Sequence, residues 1–96
     1  MSQSDHLAPS LKAAIAEEIR DLRRLVEQLA EILVADEQFA MTYTEQLQTF
    51  DLVIQRADES ADLLERLANG LHSLEAVEGV RLGVVQDRLR AALRAA

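Results

Sequence analysis

Asp51 and Gln55 are the first pair of residues in this sequence whose types and spacing suit chemistry. They stand four residues apart in a segment without glycine or proline, so on a helix they lie next to each other on one face. A carboxylate accepts hydrogen bonds and an amide both accepts and donates them. The plainer interpretation is that they are two solvated side chains flanking the core positions Phe50 and Ile54.

The stretch around this pair, QTFDLVIQ at residues 48–55, resembles the catalytic helix of CheZ-type chemotaxis phosphatases. The resemblance implies that Gln55 orients a water molecule for attack on the aspartyl phosphate of a response regulator, and that Asp51 contacts a lysine of that partner. It also implies a homodimer, because that family dimerises through long helical hairpins into a four-helix bundle. The family's C-terminal partner-binding peptide is not evident in this sequence.

His72 is the second candidate, within the stretch LHSLE. This stretch resembles the active-site helix of histidine phosphotransfer domains, which implies that His72 carries a phosphoryl group. The sequence departs from that pattern at Glu75, where the family has lysine, and at Ala76, where it has glycine. An acid at position 75 would repel the phosphoryl oxygens. The plainer interpretation is a partly exposed histidine at a helix junction.

Other kinds of site lack the residues that they need. The chain has no cysteine, which excludes disulfides, thiolate metal sites and cysteine nucleophiles. Neither histidine follows a glutamate by three residues, the spacing with which helical bundles bind di-iron centres, and no glycine-rich phosphate loop occurs. We therefore predict no metal and no cofactor.

The formal net charge of −7 is concentrated in residues 25–80, which carry twelve acids and two arginines. Nucleic-acid binding depends on Lys and Arg that neutralise phosphates, so we predict no nucleic-acid partner. An acidic helix face offers a basic protein a place to bind. The residues of this predicted face are Asp58, Glu59, Asp62 and Glu65. The plainer interpretation is a solvated helix face with surplus acid.

The elements that position these residues are helices. From Ile15 to Leu71, apolar side chains recur at alternating spacings of four and three, and Asp36 is the one polar residue in the series. This alternation averages 3.5 residues, the period that keeps a seam facing a neighbouring helix. A second apolar column runs beside the seam at multiples of seven: Leu11, Leu25, Ile32, Phe39, Val53, Leu67 and Leu74.

Three apolar positions in seven make a stripe too wide for a two-stranded coiled coil, so each helix is expected to contact two neighbours. We predict an all-α fold in which a helical hairpin and a third helix form a helical bundle through homodimerisation. A chain of 96 residues makes one domain with a thin margin of stability, which a second subunit would increase.

The predicted division of the chain is a flexible leader at 1–9 followed by one helical domain at 10–96, with helices at about 10–35, 37–69 and 72–94. Ser10 is the expected N-cap of the first helix. Asp36 is the expected N-cap of the second. The alternative is one unbroken helix of about sixty residues, roughly 90 Å long, with the carboxylate of Asp36 on its seam.

Glycines mark the later boundaries. Asn69 and Gly70 supply the left-handed residue that ends many helices, and Ser73 is the expected cap of the third helix. Gly79 and Gly83 weaken that helix by about 1 kcal/mol each, so an interruption near residues 78–80 is left open.

The longest apolar run, residues 32–35, is far shorter than a membrane span, and the N-terminus has no signal-peptide pattern. A basic amphipathic C-terminal helix suits anionic lipid, but helix C-termini favour cations in any case. We expect a cytoplasmic protein without membrane attachment. The main functional hypothesis is a non-enzymatic helical interaction and dimerisation module. The alternatives are a CheZ-like phosphatase or regulator and a degenerate histidine phosphotransfer protein.

Overall fold

A computed structural model describes residues 7–95 of the chain. Five α-helices and no β-strand are present in this part, which confirms the predicted all-α class. Their bounds are α1 (Ala8–Val34), α2 (Glu37–Thr42), α3 (Thr44–Ala68), α4 (Ser73–Glu78) and α5 (Gly83–Ala95). The two long helices, α1 and α3, pack side by side as a hairpin, and α4 and α5 follow at its end.

The first helix begins two residues earlier than predicted. Ala8 is its first residue, Pro9 lies in its first turn, and Leu7 is the N-cap, without a capping side chain. Proline suits this place because the first backbone N–H groups of a helix have no intrahelical partner. The prediction of Ser10 as N-cap is therefore wrong, and Ala8 and Pro9, which the prediction assigned to the leader, belong to α1. Residues 1–6 lie outside the described part of the chain.

The predicted break at Asp36 is confirmed, and it excludes one unbroken helix from residue 10 to residue 69. Asp36 has an extended backbone, and its side chain accepts a hydrogen bond of 3.1 Å from the backbone N–H of Phe39. This bond satisfies one of the free donors at the start of α2. The chain therefore reverses after α1 rather than continuing along its axis.

The predicted helix over 37–69 is divided at Tyr43 into α2 and α3. The hydroxyl of Thr44 donates to the carbonyl oxygen of Ala40 at 2.9 Å, the oxygen that the Thr44 N–H would use in a continuous helix. Such side-chain bonds to the backbone compete with the helical ladder. The rings of Phe39 and Tyr43 pack with their centroids 4.6 Å apart.

α3 ends at Ala68, directly before Asn69 and Gly70, as these two residues predict. Gly70 has a φ of 94°, a conformation that glycine adopts without steric cost. The N–H of Gly70 donates to Leu67 at 3.1 Å, and the N–H of Leu71 donates to Arg66 at 3.1 Å. These two bonds form a Schellman motif, which satisfies carbonyl groups of the last turn.

The predicted helix over 72–94 is also divided, because α4 ends at Glu78 and α5 begins at Gly83. The carbonyl oxygen of Ala76 accepts two bonds from the Arg66 guanidinium. The N–H of Val80, which would use that oxygen in a continuous helix, donates to Val77 at 3.0 Å instead. Ser73 is the first residue of α4 rather than its cap.

The core of the single chain consists of small residues. Its buried apolar residues are Ala16, Ala61, Ala76, Val77 and Val80, and among residues 7–95 no large side chain is fully buried. Most of the large apolar side chains of α1 are instead exposed, and the others, Ile19, Val26 and Leu33, are half-buried. Small apolar residues are thus buried, while large apolar residues lie on the surface of the hairpin.

Candidate interaction surface

The two long helices contact each other through a line of ion pairs along one edge of their interface. Arg20 of α1 lies 2.9 Å from a carboxylate oxygen of Asp62 and is also paired with Glu65. One turn further along α1, the Nε of Arg23 lies 2.7 Å from Asp58. Because the residue number rises along α1 as it falls along α3, the two helices are antiparallel. We call this edge the ion-paired flank.

Arg23 also contacts Glu27 of its own helix at 3.0 Å. Its Nε atom is buried, and the N–H direction toward Asp58 departs from hydrogen-bond geometry, so the contact with Asp58 is an ion pair rather than a hydrogen bond. The pKa of Arg20 is raised, chiefly by its hydrogen bond to Glu65, against the opposing effect of burial. Arg20 and Arg23 thus cross-link the hairpin.

Glu59 is a buried carboxylate on α3, with 5% of its surface exposed. One of its oxygens accepts from the Arg81 Nε at 2.8 Å and the other from the Arg81 backbone N–H at 3.2 Å. Burial raises the pKa of Glu59, but these bonds from Arg81 outweigh it and hold the pKa below its ordinary value of 4.5. The segment between α4 and α5 is thereby fastened to α3.

Arg66 makes a second attachment of the C-terminal helices. Its Nε and Nη2 atoms donate to the carbonyl oxygen of Ala76 at 3.1 and 2.8 Å. Its guanidinium lies beside Gly79, where a Cβ atom would be 3.0 Å from the Arg66 Cζ. The glycine at position 79 leaves room for the Arg66 guanidinium where it binds the carbonyl oxygen of Ala76.

All four acids of the predicted binding face are therefore paired with arginines of the same chain. Asp58, Asp62 and Glu65 are paired with α1, and Glu59 is paired with Arg81. Sequence spacing indicates pairs three or four residues apart, such as that of Arg24 with Asp21. It gives no signal for the pairs between α1 and α3, which are 35 to 45 residues apart, because these depend on how the hairpin closes.

α1 carries two parallel columns at heptad spacing, and they face different ways. The column toward α3 is a mixture of small, apolar and charged residues: Ala16, Ile19, Arg23, Val26, Ala30 and Leu33, all buried or half-buried. The other column is made of large aliphatic side chains with 41 to 69% of their surface exposed: Leu11, Ile15, Leu22, Leu25, Leu29 and Ile32. Glu18 is the polar residue that completes its heptad spacing.

The exposed column lies on the flank opposite the ion pairs. Each residue turns a helix by about 100°, which places Leu22 and Leu29 on one side of the contact with α3 and Arg20 on the other. On α3, the same geometry places Val53 opposite Asp58. Since the helices are antiparallel and their ion pairs share one flank, the two opposite columns lie side by side.

We call this combined surface the apolar face. It consists of the exposed α1 column together with the neighbouring column of α3, which is Phe50, Val53, Ala57, Leu64 and Leu67. The α3 residues are half-buried, apart from Val53, which is exposed. Contiguous apolar surfaces of this kind mark sites of protein association.

The predicted catalytic pair lies on the accessible surface away from the apolar face. Asp51 and Gln55 are both exposed on α3. Gln55 lines an open groove of about 240 Å³ together with Arg81 and Leu82. Asp51 lines a separate groove with Ile54 and residues from the C-terminal part of α1. The helix presents both side chains to solvent.

His72 is exposed and is the N-cap residue of α4, without a side-chain capping bond. The resemblance to phosphotransfer domains implies a histidine within a helix, whereas His72 precedes a helix of six residues. Within residues 7–95, no group of three or more His, Asp or Glu side chains is placed to hold a metal ion. None of the described helices is long and apolar enough to cross a membrane.

Comparison of the chain with known proteins identifies no relative. The chain matches no protein-family model, and neither the curated proteins nor the solved structures contain a match to it.

Proposed function

We propose that this protein is a non-enzymatic interaction module that forms a homodimer through the apolar face. The observation that carries the proposal is the column of six large aliphatic side chains on α1, which is exposed, whereas the column toward α3 has three such side chains together with two alanines and an arginine. A helix that functions alone in a hairpin places its largest apolar residues toward its one neighbour. The exposed column therefore supports a second neighbouring helix for α1, in addition to α3.

The energy of covering this surface is large for a small protein. Fully burying a leucine or isoleucine side chain contributes about 1.5–3 kcal/mol, so each half-exposed member of the α1 column contributes about 1 kcal/mol when it is covered. Natural domains have total stabilities of about 5–15 kcal/mol. Six such side chains on one helix therefore favour association strongly.

A second hairpin placed on the apolar face would complete a four-helix bundle. Two antiparallel helices with apolar columns on one side supply half of the core of such a bundle. The ion-paired flank and the C-terminal helices would remain at the outside of the dimer. This arrangement leaves Asp51, Gln55 and the half-buried acids Asp58, Asp62 and Glu65 accessible to other molecules, whereas Glu59 is buried within the chain.

The test is a charge introduced into the apolar face. Leu25 is 61% exposed in the single chain, so Leu25→Glu leaves the hairpin folded but places a carboxylate in the dimer core, which is costly to bury. We expect sedimentation equilibrium to show a dimer for the wild-type protein and at least a tenfold weaker association for Leu25→Glu. A wild-type protein that is monomeric at micromolar concentration would contradict the proposal.

Val84→Glu is the matched control. Val84 is an aliphatic residue of α5 with 67% of its surface exposed, and it lies outside the apolar face. The substitution makes the same change of charge as Leu25→Glu, so any general effect of an added acid appears in both variants. We expect Val84→Glu to dimerise as the wild-type protein does.

A basic protein partner on the acidic residues of α3 is a further element of the proposal. Such a partner would compete with Arg20 and Arg23, which already contact Asp58 and Asp62. We expect reversal of these two acids to lysine to weaken both partner binding and the hairpin. Binding that is indifferent to the reversal would exclude this site.

A second candidate function is dephosphorylation of phosphorylated response regulators. The observation that favours it is the exposure of Asp51 and Gln55 on one accessible side of α3. We expect Gln55→Ala to abolish accelerated dephosphorylation with helicity unchanged, and Gln48→Ala, at another exposed glutamine of α3, to retain it. If the wild-type protein accelerates the dephosphorylation of no response regulator from its own organism, this candidate function is contradicted.

A further inference from the structure

We propose that a groove at the closed end of the hairpin, where α2 joins the two long helices, binds a basic amphipathic helix of a protein partner. The groove lies between the C-terminal part of α1 and the N-terminal part of α3, and its volume is about 490 Å³. We call it the acidic groove after its rim, Glu27, Glu31 and Asp51. This inference rests on the proposed function as an interaction module, but it assigns a site and a partner that do not involve the apolar face.

The floor of the acidic groove is apolar. It is formed by Ala30, Val34 and Ala35 from the end of α1 and by Ile54 of α3. The Val34 side chain has 53% of its surface exposed, and Ile54 is half-buried. An amphipathic helix binds in such a groove by laying its apolar stripe along the floor.

The acidic groove continues the ion-paired flank toward α2. Glu27 and Val34 lie seven and fourteen residues after Arg20, and Asp51 lies seven residues before Asp58. Residues seven apart lie on nearly the same side of a helix. The groove is therefore on the flank opposite the apolar face, and it remains at the outside of the proposed dimer.

The carboxylates of the rim stand on both sides of the floor, Glu27 and Glu31 on α1 and Asp51 on α3. Arg23 pairs with Glu27, but within residues 7–95 no ion pair includes Glu31 or Asp51. Glu31 lies in the last turn of α1, where the helix dipole disfavours an acid, and four residues after Glu27, where like charges repel. A cation bound at the rim offsets both effects.

The distribution of charge favours a basic protein as the occupant. Residues 25–55 carry six acids and no lysine, arginine or histidine, and the whole chain has a net charge of −7. This charge attracts a basic partner to a charged site and opposes a second copy of the chain there. The groove is also open, since Glu31, Val34 and Asp51 are exposed, so its walls cannot bury most of a small ligand such as a polyamine.

The arrangement of the groove specifies the chemistry of the partner helix. Among the described residues, carboxylates are not placed to hold one metal ion together, so the positive charges of the ligand must be spread out. An apolar stripe on the floor brings one flank of the partner helix to Glu31 and the other to Asp51. The partner therefore carries arginine or lysine on both sides of an aliphatic stripe, and arginine binds a carboxylate with two parallel hydrogen bonds.

Two synthetic peptides of the same composition test this assignment. The probe is a fluorescently labelled peptide of leucine, alanine and arginine, about 18 residues long so that it can form a helix in water. Its leucines form one stripe and its arginines flank the stripe on both sides. The control peptide distributes the same residues evenly around the helix. Fluorescence anisotropy at about 0.15 M salt, where distant charges are screened, measures the binding of each peptide.

Matched substitutions locate the binding site. We expect the probe to bind the wild-type protein and to bind the double variant Glu31→Gln, Asp51→Asn about fivefold or more weakly. The control variant Glu37→Gln, Glu45→Gln removes two acids from the same end of the hairpin outside the groove, and it should bind the probe as the wild type does. Val34→Asn keeps every charge and makes the floor polar, so it should also weaken binding.

The alternatives give different results. A wild-type protein that does not bind the probe, or that binds both peptides equally, overturns the proposal, as do equal losses in the two acid variants. If an equal concentration of spermidine displaces the probe, the groove is a polyamine site. If the Glu31 and Asp51 substitutions dissociate the dimer, its occupant is a second copy. Leu25→Glu should bind the probe as the wild type does, so failure of the proposed dimer and failure of the acidic groove are distinguishable.

Discussion

Glu59 and Arg81 differ in their surroundings, and this difference determines how the pair responds to substitution. The Glu59 side chain is buried, whereas 81% of the Arg81 side chain is exposed. Removing the arginine leaves a buried carboxylate with the Arg81 backbone N–H as its remaining donor from this segment. Removing the carboxylate leaves a guanidinium that water solvates. The buried partner is therefore the sensitive one.

Arg81→Ala is expected to lower the free energy of unfolding at pH 7 and to change its pH dependence. In the wild-type protein the pKa of Glu59 is lowered in the folded state, so its contribution to stability is present above the ordinary pKa of 4.5 and is lost as the pH falls through the folded value. Without the Arg81 side chain, burial raises this pKa, and acidification then favours the folded state at this residue.

Urea unfolding of both proteins at pH 7 and pH 3.5, at one protein concentration, measures this effect. The difference between wild type and Arg81→Ala should be larger at pH 7 than at pH 3.5. Glu59→Gln removes the titrating group, so its difference from wild type should also narrow at the lower pH. If the difference in unfolding free energy between wild type and Arg81→Ala is larger at pH 3.5 than at pH 7, the lowered pKa of Glu59 is contradicted.

At the scale of elements, the helix ends in this chain are coded by local residues. Asp36 caps α2 with its side chain, and Gly70 closes α3 with a positive φ. Both ends are predicted by the sequence because a cap involves residues three or four positions apart. The break at Tyr43 is also local, because the hydroxyl of Thr44 takes the carbonyl oxygen of Ala40, four residues before it. The break at Gly79 depends instead on Arg66, a side chain from another helix that takes the carbonyl oxygen of Ala76.

Gly70→Ala and Gly83→Ala form a matched pair that tests the end of α3. A Cβ atom at either position meets no atom within 4 Å, but Gly70 has a φ of 94°. An alanine in the left-handed region costs about 1–2 kcal/mol, so Gly70→Ala should lower the free energy of unfolding by this amount. Gly83 begins α5, and alanine there should be neutral or stabilising by up to about 1 kcal/mol.

Urea denaturation with a circular-dichroism readout compares the two variants at equal concentration. Equal effects of the two substitutions would show that backbone conformation at Gly70 does not stabilise the end of α3. A loss for Gly70→Ala alone would confirm that the Schellman motif depends on the glycine.

The heptad phase was interpretable from the sequence as an apolar stripe, but its division into a column that faces α3 and a column that is exposed was not. In α1 the phase alternates between Ile19 and Val26, which face α3, and Leu22 and Leu29, which are exposed. Periodicity shows which residues share a stripe, and the width of the stripe predicts more than one neighbour. The side of the stripe that faces α3 depends on the long-range pairs of Arg20 and Arg23, which spacing does not reveal.

At the scale of the whole molecule, the described chain is elongated, with dimensions of 57 × 25 × 17 Å. Its buried apolar residues are alanines and valines, which contribute less on burial than the exposed leucines and isoleucines do. A chain of this size buries a smaller share of its surface by itself than a larger domain does. Much of its stability should therefore come from association.

The thermal midpoint should therefore rise with protein concentration, because a dimer that unfolds to separate chains is stabilised by mass action. For a dimer of this size we expect an increase of roughly 3–5 °C for each tenfold rise in concentration. Differential scanning calorimetry from micromolar to hundreds of micromolar covers two such steps. Leu25→Glu should unfold at a lower temperature and lose the dependence, whereas Val84→Glu should keep it. A wild-type midpoint that is constant over this range would show that the hairpin reaches its stability alone, with its apolar face uncovered.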